Sequence, residues 1–168
     1  MKKLLPILGT MMLAACVAPE DPAAAPDASL PTLATDQSAP MLALMDYMLG
    51  NYFASDVARR PTVCASMHDG RSEVAMDAAD ELALMTRYDA LAPFSRCAWL
   101  EDGWQDGETG EPAIIFNVHS FTCANDDQCS GFGAYVAGQT SSLSNRYTME
   151  YTGGAWQFVR DSRLVGEE

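Results

Sequence analysis

A change of chemistry at Pro93 limits what this chain can fold into. Nine of its 10 methionines precede that residue and 11 of its 15 aromatic residues follow it. In the first part, Met41, Leu44, Met45, Met48, Leu49, Tyr52 and Phe53 recur at three- and four-residue steps, the stripe of an amphipathic helix. Ser38 is placed to cap that helix with Pro40 in its first turn, and Arg59-Arg60-Pro61 stops it. Core packing explains the stripe better than a partner-binding groove does. Thr62 to Met67 is a short strand-like piece, followed by the turn His68-Asp69-Gly70. A second helix is predicted from Asp77, where Asp77 and Asp80 resemble a capping box, through Leu82, Met85, Tyr88 and Leu91 to Pro93.

Beyond Pro93 the period becomes two. Strands are predicted over residues 94–100, 113–123, 131–137, 146–152 and 155–160, with Gly153-Gly154 as a hairpin turn and residues 101–111 as a loop. Helices first and strands afterwards define an α+β class: two N-terminal helices packed on a curved antiparallel meander of four to five strands. That element order over residues 41–165 resembles the cystatin-like or nuclear-transport-factor-2-like cone. The resemblance implies either a pocket between helix and sheet or a pocketless scaffold, and fold does not choose between them.

The N-terminal stretch sets the compartment. Lys2 and Lys3 open it, an apolar run from Leu4 to Ala15 follows, and Leu13-Ala14-Ala15-Cys16 closes it. A basic head, a short apolar run and a small-residue cleavage site describe an export signal. The run is too short for a bilayer that takes about 20 helical residues. Its closing tetrapeptide resembles a bacterial lipobox, which implies a signal peptide over residues 1–15 and a diacylglyceryl anchor on Cys16. Val17 rather than aspartate after the cysteine implies the outer membrane over the inner one. Residues 17–40 carry Pro19, Pro22, Pro26, Pro31 and Pro40 among alanines and acids, and they read as a tether. The expected organisation is a signal over 1–15, a lipidated cysteine and tether over 16–40, and a disulfide-stapled domain over 41–168.

Charge and cysteines fit that setting. Both lysines lie in the signal, leaving eight arginines against 23 acids, a formal charge of −15. Such a surface repels phosphate backbones, so nucleic acid is excluded as a partner and membrane contact must come through the lipid. With Cys16 set aside, Cys64, Cys97, Cys123 and Cys129 make two disulfides in an oxidising envelope. Cys123 and Cys129 enclose only five residues and form the natural local pair, which leaves Cys64 with Cys97. Loop-closure entropy assigns about 2.4 kcal/mol to the short bridge and about 3.7 kcal/mol to the long one.

Candidate chemistry is sparse. In the strand 113–123, alternation puts Ile114, Phe116 and Val118 on one face, toward the helices. Ile115, Asn117, His119 and Phe121 then lie on the other. Asn117 and His119 are the candidate catalytic pair, with His119 as general acid or base, although no carboxylate is placed in sequence to orient it. Asp102, Asp106, Glu108 and Glu111 offer oxygen ligands for calcium, without the spacing of an EF-hand. His68 and His119 are too isolated for zinc, and no phosphate loop, nucleophile elbow or dinucleotide fingerprint is present, so no cofactor is implied. The expectation is a lipid-anchored envelope protein, on the periplasmic side, whose domain is a protein-binding or accessory subunit. The alternative is a small-ligand-binding or hydrolytic cone with a pocket near His119.

Overall fold

The computed structural model describes residues 32–57, 59–101 and 103–161; the expected signal, Cys16 and the expected tether as far as residue 31 lie outside them. Two α-helices, α1 (Pro40–Phe53) and α2 (Ala78–Arg87), accompany nine strands among the described residues. The strands are β1 (Thr62–His68), β2 (Glu73–Val74), β3 (Leu91–Ala92), β4 (Cys97–Leu100) and β5 (Gly103–Asp106), then β6 (Ala113–Asn125), β7 (Gln128–Gly138), β8 (Ser141–Thr152) and β9 (Ala155–Asp161).

These strands overturn the expected meander. They form one mixed sheet ordered β2-β1-β6-β7-β5-β4, with β3 also on β1, β8 also on β7, and β9 on β8. The antiparallel run β6 to β9 matches the predicted strands, each longer than predicted. The departure is β1, which runs parallel to β6 from Thr62 to Met67 and parallel to β3 at Val63 and Cys64. A strand inside a sheet is buried on both faces and so shows no alternation, and Val63 to Ser66 are all buried. The expected loop 101–111 holds β5, which forms a hairpin with β4 from Cys97↔Asp106 to Leu100↔Gly103.

The helices also differ from expectation. Ser38 does not cap α1: its Oγ donates to Asp36 Oδ1 at 2.7 Å, and the N-cap residue Ala39 makes no side-chain hydrogen bond. The helix ends at Phe53, before the arginines. Its burial exceeds one stripe, because Leu42, Leu44, Met45, Met48, Leu49 and Phe53 are all buried, each contributing about 1.5–3 kcal/mol. Asp77 does cap α2, accepting from the Ala79 amide at 2.9 Å. That helix buries only Leu84 along its length, and Leu82, expected on its apolar face, is 64 % exposed.

The sheet has two covered faces. Val63, Ala65, Phe116 and Val118 pack with α1 in the main core. Cys64, Cys97, Ala113 and Ile115 form a smaller core on the reverse face, against Phe94 and Trp104. Both bridges close as the spacing implied, Cys64–Cys97 and Cys123–Cys129. The first fastens the β4–β5 hairpin to β1. Among the described residues no helix is long and apolar enough to cross a membrane.

Before α1, a 3-10 turn at Leu33–Thr35 lies against the last strands. The indole of Trp156 donates to the Asp36 carbonyl at 3.1 Å, and the Tyr151 hydroxyl donates to the Thr35 carbonyl at 3.0 Å.

Candidate functional site

On the reverse face, strand register assembles a polar cluster beside the smaller core. Parallel pairing sets Ser66 of β1 opposite Asn117 of β6, and β2 brings Glu73 alongside His68. The Ser66 hydroxyl donates to Glu73 Oε2 at 2.6 Å, and the Asn117 amide donates to Oε1 at 2.9 Å. Ser66 and Asn117 are buried, and burial raises the Glu73 pKa despite those two donors and the nearby His68. The His68 and His119 rings lie 6.1 Å apart, and His119 stacks on Phe132 at 5.1 Å. His119 Nε2 is 3.4 Å from Ser144 Oγ. Asn117 and His119 are therefore neighbours on one face, as alternation predicts, and Glu73 supplies a carboxylate that the sequence did not place.

Phe121, expected on that same face, is not there. Ser120 adopts a left-handed φ of 49°, and the β6–β7 register shifts between His119 and Thr122. This bulge turns Phe121 to the other face, where it packs against the main core.

Three of the four proposed calcium carboxylates are engaged by arginine. Asp106, 1 % exposed, receives the Arg96 guanidinium at 2.7–3.0 Å and the Thr62 hydroxyl at 2.7 Å. Arg96 first, then Thr62 and the Glu108 amide, hold its carboxyl well below the usual carboxylate range. Glu108 pairs with Arg96 at 3.3 Å and Glu111 with Arg59 at 3.2 Å. Asp102 lies outside the described residues. Among those described, no three His, Cys, Asp or Glu side chains gather as a metal site.

A concave site that sequence reasoning missed lies on the front face, between the second half of α1 and strands β6 to β9. This groove has a volume of about 690 Å³. Met48, Phe116 and Leu143 supply apolar surface, and Tyr47, Tyr52, Tyr135 and Tyr147 line it. Asn117 and His119 are not part of it. No local signal marks it, since its residues come from α1, β6, β7, β8 and β9. Compared with protein-family profiles, curated proteins and solved structures, the chain has no match.

Proposed function

We propose that this chain is an envelope lipoprotein, lipidated at Cys16 and held on a tether, whose domain acts as a protein-binding or accessory subunit of a membrane-associated assembly. Two disulfides made from the four cysteines that remain once Cys16 is set aside support an oxidising compartment. The observation that carries the binding reading is an aromatic, apolar edge. Strand β4 ends the sheet path, and on it Trp99 is 43 % and Leu100 47 % exposed. Trp99 meets Trp104 of β5 edge to face at 5.7 Å. An exposed strand edge carrying large apolar side chains is a template for a partner's extended strand. The test is affinity purification of the tagged protein from detergent-solubilised membranes. A stoichiometric partner that is lost from Trp99→Ser/Leu100→Ser supports this function, and repeated recovery of the protein alone overturns it. Membrane partitioning that survives Cys16→Ser overturns the anchor.

A second reading, a small-ligand or hydrolytic site at His119, draws support from Glu73. Its carboxylate of raised pKa beside Asn117 and His68 is the kind of group that general acid–base chemistry uses. Hydrolysis of p-nitrophenyl acetate that falls in both His119→Ala and Glu73→Gln supports it; equal rates in all three proteins remove it.

A further inference from the structure

The groove on the front face carries an inference independent of both readings above. Its volume of about 690 Å³ lies in the range of small-molecule sites, roughly 300–1,000 Å³. Its lining is unlike the rest of the surface. The chain holds 23 acidic residues, yet no aspartate or glutamate lines the groove, and its one charged lining residue is Arg160. A second guanidinium, that of Arg60, lies 5.9 Å from the Tyr52 ring behind the wall.

The polar groups there are mostly tyrosine hydroxyls and amides. Among the described residues, none of the hydroxyls of Tyr47, Tyr52, Tyr135 and Tyr147 is hydrogen-bonded. Burial raises the pKa of Tyr52 and of Tyr147, so both keep their protons through the neutral range. Asn145 is 9 % exposed and lines the groove, and its amide too has no partner among the described residues. Arg160 sits opposite Tyr147 in the β8–β9 ladder and is close enough to pull against the rise in the Tyr147 pKa. Arg160, Tyr147 and Asn145 thus stand together at one side of an apolar floor formed by Met48, Phe116 and Leu143.

We propose that this groove binds a small organic anion with a flat apolar body, its acidic group held by Arg160, Tyr147 and Asn145 and its body lying on Met48, Phe116 and Leu143. An anionic head pairs with the Arg160 guanidinium and accepts from the Tyr147 hydroxyl and the Asn145 amide, and a flat body matches aromatic walls. A carboxylate or sulfonate on a ring system is the simplest such ligand.

The experiment uses the full chain carrying Cys16→Ser, which needs no detergent, and isothermal titration with 2-naphthoate, 2-naphthamide and 2-naphthylmethylammonium. Naphthoate is expected to bind at least tenfold more tightly than the cation, by the usual worth of about 1.5–3 kcal/mol for a charged hydrogen bond. Arg160→Gln should weaken naphthoate about tenfold and leave naphthamide within about twofold. Asn51→Trp, at an exposed position on the rim, should block all three. Equal affinity for the three probes, an unchanged naphthoate affinity in Arg160→Gln, or no binding of naphthoate each overturns the proposal, provided near-UV circular dichroism shows every variant folded.

Discussion

Arg87, at the last turn of α2, reaches Asp46 in the middle of α1, Nε to Oδ1 at 2.8 Å, and both side chains are largely shielded from water. The Tyr88 hydroxyl donates to the same carboxylate at 2.7 Å, with its pKa raised first by burial and then by that acceptor. One carboxylate therefore fastens α2, which buries little of its own, to the helix that fills the core. Asp46→Ala takes this carboxylate away from a largely shielded guanidinium and from the Tyr88 hydroxyl, and the expected loss is about 3–5 kcal/mol of unfolding free energy in urea titration. The double variant Asp46→Leu/Arg87→Met should recover most of it.

Gly133 gives a packing prediction. A Cβ built there runs into Met48 Sδ and touches the Tyr147 ring, so the Met48 side chain of α1 occupies the space that a side chain on β7 would take. Gly133→Ala is expected to cost about 1–3 kcal/mol. Adding Met48→Ala should cancel part of that cost, and a double-mutant cycle that returns strict additivity would contradict the contact.

Two carboxylates give opposite pH slopes. Asp106 has its pKa lowered on folding, so its contribution is full above the ordinary aspartate range and fades as pH drops toward the folded value. Glu73 has its pKa raised, so the folded state holds the extra proton, and stability declines as pH climbs from its ordinary value through the folded one. Urea midpoints between pH 3 and 7 should show Asp106→Asn flattening the acid limb. Glu73→Gln should relieve the loss on the higher-pH side.

The bridges are predicted to be unequal. Cys64→Ser/Cys97→Ser releases the β4–β5 hairpin from β1 and opens the smaller core, for an expected loss of about 2–5 kcal/mol. Cys123→Ser/Cys129→Ser opens only a six-residue separation within one hairpin and should cost less. Thermal melts of the two double variants give the order directly.

What sequence conveyed was local. The spacing of Cys123 and Cys129 paired them, Asp77 announced a helix start, and Gly153-Gly154 turned β8 into β9 with φ of 63° and 85°. Alternation in β6 separated Phe116 and Val118 from Asn117 and His119, until Ser120 broke the period and moved Phe121. What sequence hid was non-local. The parallel contact of β1 with β6 spans about 50 residues, and β1, buried at Val63 to Ser66, carries no period that would reveal it. Two-residue strands such as β2 and β3 are too short to carry a pattern, so Glu73 could not be assigned to Asn117. The groove is hidden for the same reason: its tyrosines belong to three separate elements.

The docking of Thr35 and Asp36 on Tyr151 and Trp156 also fixes an orientation. The chain arrives at the end of the domain where the hairpin turns Asp126-Asp127 and Gly153-Gly154 lie, and α1 starts there. The groove opens along the second half of that 14-residue helix, about 10–20 Å farther on. Thr32, where the described residues begin, therefore meets the domain at that end, and the tyrosine-lined mouth lies apart from it along α1.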